Sequence, residues 1–345
     1  MTISVRPVDH ASDREELLGI LQTNLLAIPH ARRFQWLYYA NPDGPAYTWF
    51  AYEKGTDHVV GVASVFPRAA WVGPELKICG QVGDFAVPAS HRSLGPALLL
   101  QRATFEPVNQ GKLALCYDCP PPGAAMATFR RLGFESNCTM ERYALPLRVD
   151  NHLSKHLGFA VSPLASAGNV VLRMYRRAGS RRRDFEIIEH KEPFGDEFSL
   201  LDKQVGSTCA IRVQRSTAQL NWRYRENPLQ GYCVLTARRK GELVAFIVFS
   251  VTDGTVRIED LFGQDVSEAG VALLEAVVAR CELSHQTIEA FLSKESPLIN
   301  PFLKAHFRRR SVAAQVVAYT KQGSDTSTFL QQAPKWLFTG ADIRA

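Results

Sequence analysis

Residues 80–97 constrain the fold more than any other stretch of this chain. An apolar, strand-like run over 80–87 passes through Pro88-Ala89-Ser90-His91-Arg92-Ser93-Leu94-Gly95-Pro96 into a helical pattern that begins at Ala97 and continues with Leu98, Leu99 and Leu100. A strand that turns at once into a helix leaves the first helical amides without intrahelical acceptors, and the helix dipole adds positive potential there. Such a turn is a cradle for an anion. Pro96 has no N–H and removes one donor, but its fixed φ suits a first helical turn.

The rest of the chain must supply a body for that turn. At 345 residues the chain is long for one hydrophobic core, so two domains are expected. A hydrophobic fraction of 46% is enough for real cores. The net charge of +6 suits an anionic small ligand and is too weak to predict a nucleic-acid partner. No apolar signal core opens the sequence and no run is long enough to span a membrane. Seven cysteines, an odd number, with no secretory signal predict reduced thiols and a cytoplasmic location. Cys116-x-x-Cys119 has no second ligand pair, so it reads as two incidental thiols, and no metal site is predicted. No phosphate-binding Gly-x-x-x-x-Gly-Lys-Ser/Thr loop occurs either.

Hydrophobic periodicity gives a strand at 3–8, a helix at 13–24 capped by Ser12, and a short helical piece at 34–39 that ends in Asn41-Pro42-Asp43-Gly44-Pro45. Strands follow at 48–52, 59–66, 69–72 and 76–86, then the helix from Ala97 to about Phe105, a buried strand at 113–117 and a strand at 140–147. Between the last two lies Ala125-Met126-Ala127-Thr128-Phe129-Arg130-Arg131-Leu132-Gly133-Phe134, a helix for which Gly133 is a left-handed stop.

Two of these stretches together carry a family resemblance. Arg92-x-x-Gly95-x-Ala97, preceded by Val87-Pro88 and His91, resembles the Arg/Gln-x-x-Gly-x-Gly/Ala loop of the GNAT acetyltransferases. Phe129-x-x-x-Gly133-Phe134 resembles that family's second signature, a helix ending in Tyr-x-x-x-Gly-Phe. The resemblance implies an α/β fold (α+β, mixed sheet) and acetyl-CoA or another acyl-CoA as cosubstrate, with no metal. It implies that Arg92, Ser93, Leu94, Gly95, Pro96 and Ala97 hold the pyrophosphate. The pantetheine would run beside the strand 80–87 along Phe85, Ala86 and Val87, one of whose amides would serve as oxyanion donor. Phe129 would stand where the family keeps a thiolate-protonating Tyr.

The chain also repeats itself. Trp36-x-Tyr38-x-x-Asn41-Pro42 recurs as Trp222-x-Tyr224-x-x-Asn227-Pro228, each followed by a Lys-Gly turn, Lys54-Gly55 and Lys240-Gly241. Phe129-x-x-x-Gly133-Phe134 is echoed by Phe302-x-x-x-His306-Phe307. A repeat of this length indicates a duplicated domain, with Trp36 and Trp222 in a shared packing role. The expected organisation is a GNAT-like acyl-CoA-binding domain at 1–147, a helical basic linker at 148–183, a degenerate GNAT-like domain at 184–322 and a tail at 323–345 that docks on the second domain. The linker ends in a basic cluster from Arg173 to Arg183, read as a solvated face. In the second copy the loop position reads Gly263-Gln264-Asp265-Val266-Ser267-Glu268, whose two carboxylates would repel a diphosphate, so this copy keeps the shape and loses the ligand.

An acyl transfer by direct attack also needs a base for the amine and an acid for the thiolate. Asp84, flanked by apolar residues on the central strand, is the expected base, and Tyr117 the expected acid in place of Phe129. Asp118, His91 and a water chain are further candidates for the base. The resulting expectation is an N-acyltransferase acting on an amine of a small-molecule acceptor. The alternatives are a FemAB-like aminoacyl transferase and a non-catalytic acyl-CoA-binding scaffold. Oligomeric state is not fixed by the sequence.

Overall fold

A computed structural model of the chain describes residues 2–25, 31–91, 94–148, 184–206 and 210–343. The expected helical linker with its basic cluster, and Arg92 and Ser93 of the cradle, lie outside the described residues.

The first half supplies β1 (Ile3–Pro7), β2 (Tyr47–Glu53), β3 (Val59–Val72), β4 (Glu75–Ala86), β5 (Leu115–Asp118) and β6 (Cys138–Pro146). The second supplies β7 (Glu186–Glu189), β8 (Ala210–Val213), β9 (Cys233–Arg239), β10 (Glu242–Thr252), β11 (Thr255–Gly263), β12 (Thr287–Ser293), β13 (Arg308–Thr320) and the short β14 (Lys335–Trp336). They form one mixed sheet in the order β1-β2-β3-β4-β5-β13-β6-β12-β11-β10-β9-β7, with β8 between β3 and β14. The stretches expected as two strands at 59–66 and 69–72 are the single strand β3, buried almost throughout.

The halves are interlocked. The sequence places β6 as the closing strand of the first half, yet it pairs along its whole length with β12 and with residues 308–316 of β13. The end of β13 reaches back and pairs with β5, Val317 opposite Asp118 through Thr320 opposite Leu115. A period-two apolar pattern specifies which face of a strand is buried, not which strand lies beside it. The exchange was therefore invisible in the sequence.

Helices cover both faces of the first half. On one side lie α1 (Arg14–Asn24), α2 (Ala31–Phe34) and a π-helical turn, Gln35–Tyr39. Leu17, Phe34, Tyr38, Phe50 and Phe66 form the core there. On the other side lie α3 (Leu94–Ala103), α4 (Glu106–Asn109) and α5 (Ala124–Arg131), packed over Val65, Val82, Leu100 and Cys116. Ser12 does not cap α1, because its neighbour Asp13 stands at the cap position with its carboxylate turned to Arg6.

The repeat is visible in three dimensions. Trp36 and Trp222 stack at 4.6 Å between ring centres, and each indole N–H donates to the other's carbonyl, at 2.8 and 2.9 Å. Gly133 and His306 both adopt left-handed φ values, +83° and +67°, after their helices. The next amides, of Phe134 and Phe307, close on Phe129 and Phe302 at 2.9 Å each. Asn41 and Asn227 each cap the following turn through the side-chain oxygen.

Candidate functional site

The geometry begins with a bulge. Across β3 and β4, Val62 faces Ala86 and Ser64 faces Gly83, so Asp84 and Phe85 together stand opposite Ala63. Two residues against one bend and twist the bulged strand. Asp84 takes φ +46°, a region that Asp enters at less cost than most residues. On its other edge β4 pairs with β5 at only two positions, Gly80 with Cys116 and Gln81 with Tyr117. Beyond them β4 runs on to Ala86 while β5 ends at Asp118, so the pairing stops and the sheet splits at this point.

Buried polar groups hold the bulge. Both oxygens of Asp84 accept from Arg33, at 2.7 and 2.8 Å, and Oδ2 also accepts from the Tyr38 hydroxyl at 2.7 Å. The chain continues through Tyr38, Ser64, Thr48 and His10 in successive hydrogen bonds. Burial depresses the Arg33 guanidinium, but its bonds and charge pairing with Asp84 more than restore it. Burial and the Asp84 charge push the Tyr38 phenol far up, and burial lowers His10. The expected base thus has its carboxylate engaged by an arginine and a tyrosine of its own chain.

Tyr117 is fully buried on the same face as Phe338, and its hydroxyl donates to the carbonyl of Asp342 at 3.2 Å. Burial raises its phenol well above the ordinary range. Phe129 is buried in α5 with Met126 and Val317, and its ring offers no proton. Asp118 stands at the end of β5, on the opposite face from Tyr117, where burial lifts it to about 7. His91 binds Glu53 at 3.0 Å and is thereby turned away from the cleft toward β2.

Past β4 the backbone makes a 3-10 turn, Ala89–His91, and α3 starts at Leu94, earlier than the apolar pattern indicates. Gly95 and Pro96 therefore lie inside the first helical turn, where amides lack intrahelical acceptors and the missing N–H of Pro96 costs nothing. Among the described residues no side chain or carbonyl accepts from the amides of Leu94 or Gly95. Ala86 is buried, while Phe85 and Val87 are partly exposed at the cleft.

The second half has the same wedge, filled. β11 and β12 pair over Thr255–Ile258 and Thr287–Ala290 and then diverge. A register shift between Val248 and Phe249 sets a bulge in β11 beside Asp260. Arg215 binds both oxygens of Asp260 at 3.1 Å, and Tyr224 lies 3.5 Å from Oδ2. The cleft itself holds the C-terminal segment. The Ser293 amide donates to the Phe338 carbonyl at 3.0 Å, Thr339 bridges Leu292 and bonds Asp260, and Arg215 binds Asp342 at 2.7 Å. The tail, expected on the second domain, also packs Trp336 and Phe338 against Ala70, Val72, Cys79, Leu115 and Tyr117 of the first half. The only local signal was Thr339-x-x-Asp342, which closes a capping box over Gly340–Asp342.

A split sheet with a bulged central strand, a helix start beside the split and a duplicated half define the acyl-CoA N-acyltransferase fold, here in two interlocked copies. Solved structures of that fold superpose on nearly the whole chain. A GCN5-related N-acetyltransferase from Anabaena variabilis matches with a TM-score of 0.63 at 13% identity, over 92% of this chain and 72% of its own. A second, from Kribbella flavida, matches at 0.57 and 16%, over 92% and 71%. Saccharomyces cerevisiae N-myristoyltransferase, with myristoyl-CoA bound, matches at 0.60 and 11%, over 93% and 79%. No protein-family model and no curated protein matches the sequence. Among the described residues no helix is long and apolar enough to cross a membrane.

Proposed function

We propose that this protein is an acyl-CoA-dependent N-acyltransferase that uses acetyl-CoA and acylates a small-molecule amine by direct attack. The observation that carries the reading is the parting of β4 and β5 after two paired positions, beside the start of α3, in contrast to the second half, where the tail bonds into the corresponding gap. The diphosphate lies on the first-turn amides of Leu94 and Gly95 with Arg92, Ser93 and Ala97 around it, and the pantetheine runs along Phe85, Ala86 and Val87. An amide of that bulged segment polarises the thioester carbonyl. The proposed organisation is a ligand-binding unit at 1–147, a linker at 148–183, a unit at 184–322 that has lost its ligand, and a tail at 323–345. The proposed location is cytoplasmic.

The engagement of Asp84 and the presence of Phe129 favour a second reading, an acyl-CoA-binding protein without turnover. Thermal unfolding with acetyl-CoA, longer acyl-CoAs and CoA tests the binding that both readings share. A ligand at about 100 times its Kd stabilises by about 2.7 kcal/mol. Gly95→Glu places a carboxylate in the cradle and abolishes that shift. If the variant shifts as the parent does, the cradle is elsewhere. Release of CoA thiol in the presence of a panel of amines separates the two readings.

A further inference from the structure

Acyl transfer from a thioester expels a thiolate, and at the β4–β5 wedge Phe129 cannot supply its proton. We propose that Asp118 is the catalytic acid that protonates the departing CoA thiolate, an assignment that rests on the functional reading above.

Asp118 is the last residue of β5, one position past the final β4–β5 pair, so it stands where the two strands part. Strand alternation sends its side chain with Cys116 toward α3 and α5, away from Tyr117. There it lines a tight crevice, with no room for a water molecule, together with Val82, Gln101, Phe129 and Phe134. Oδ1 accepts from the Cys119 amide at 2.6 Å, and among the described residues no group donates to Oδ2.

Among the described residues the other protonatable groups around that crevice are engaged elsewhere. The Cys116 thiol, from β5, is directed at the Thr104 carbonyl at 3.4 Å. The Tyr319 hydroxyl, from β13, donates to Asn109 at 2.5 Å. Tyr117 is turned to Asp342 on the far face. Among the described residues no Lys, Arg, His or second carboxylate lines the crevice, and the thiol of the neighbouring Cys119 is itself pushed up by burial. Burial places Asp118 at about 7, where a carboxylic acid is still substantially protonated at neutral pH.

The step balances without a further reactant. The amine nitrogen attacks the thioester carbonyl carbon, a C–N bond forms and the C–S bond breaks. Sulfur keeps the electron pair and takes the proton of Asp118. The nitrogen gives up a proton to water, and the Asp118 carboxylate regains one from water, so acyl-CoA and amine become amide and CoA thiol.

The test is Asp118→Asn, which keeps the bond from the Cys119 amide and removes the acid. Acetyl-CoA with hydroxylamine as the amine, followed by thiol release, is the probe. The expected result is a kcat about 10²-fold lower with KM for acetyl-CoA within about twofold. The parent loses kcat as pH rises through about 7, and this falling limb is absent from the variant. CoA-induced thermal stabilisation of the variant is expected to equal that of the parent, and a ¹³C-carboxyl titration of the parent shows one Asp near 7. A variant that turns over like the parent, or keeps the falling limb, overturns the assignment alone. A parent that neither binds acetyl-CoA nor releases thiol overturns the functional reading with it.

Discussion

Asp84→Asn separates an architectural carboxylate from a catalytic one. The Asp84 side chain is 5% exposed and that of its partner Arg33 11%. The substitution keeps the volume, the tolerance for φ +46° and one acceptor oxygen for Arg33 or Tyr38. What it removes is the charge opposing a buried guanidinium. Breaking a buried pair from one side costs about 3–5 kcal/mol. The remaining amide oxygen returns roughly one hydrogen bond, about 1 kcal/mol, which leaves a loss of about 2–4 kcal/mol. At about 2–4 °C per kcal/mol this lowers Tm by about 4–16 °C. Calorimetry and the urea midpoint read it directly. Adding Arg33→Met to Asp84→Asn removes both charges, so the double variant is less destabilised than the sum of the singles by at least about 1 kcal/mol. An unchanged midpoint for Asp84→Asn, or strictly additive singles, refutes the claim that this pair holds the bulge.

Gly133→Ala meets open space but must adopt φ +83°, so it destabilises by about 1 kcal/mol, read as a lower urea midpoint at unchanged slope. Trp222→Ala removes half of the indole stack and its reciprocal bonds, at a cost of about 3–5 kcal/mol by the same measurement. Asp118 makes stability fall with pH: its native value near 7 exceeds the ordinary 3.8, so between them the folded chain holds a proton that the unfolded chain releases. The effect is complete below the lower value and lost as pH rises through the upper one. From pH 5 to pH 8 the parent therefore loses about 1–2 kcal/mol relative to Asp118→Asn, allowing for its partial exposure, as paired melts across pH will show.

Features set by neighbouring residues were legible in the sequence. Gly133-Phe134, Lys54-Gly55 and Lys240-Gly241 each combine a left-handed glycine with local hydrogen bonding or a tight turn, and each stands where the pattern puts it. The Trp-x-Tyr repeat disclosed the duplication, because both copies need the same aromatic in the same place. What the sequence concealed depends on residues far apart along the chain. Arg33 and Asp84 are 51 positions apart, and no spacing rule links them. The burial expected to make Asp84 a base was real, but the partner that engages it could not be read from its neighbours. The same holds for the pairing of β6 with β12 and β13, and for the turn of Tyr117 toward the tail. Arg92 and Ser93, on which the resemblance leaned, lie outside the described residues, so the cradle rests on Leu94, Gly95 and Pro96.

The two halves act as controls for each other. Arg33, Tyr38 and Asp84 in the first correspond to Arg215, Tyr224 and Asp260 in the second, an arginine and a tyrosine converging on an aspartate of the bulged strand. The second half carries carboxylates in its cradle loop and its own tail in the wedge, yet it keeps this triad. A catalytic base would have no reason to survive there, whereas a device that bends the central strand away from its neighbour would. The triad therefore serves the shape of the wedge, and chemistry depends on what the wedge admits. In the second half Arg215 is shared with Asp342, so expelling the tail would cost a fully buried guanidinium one of its two carboxylates. The same class of buried ion pair thus holds the bulge in both halves, and in the second half it also ties down the tail.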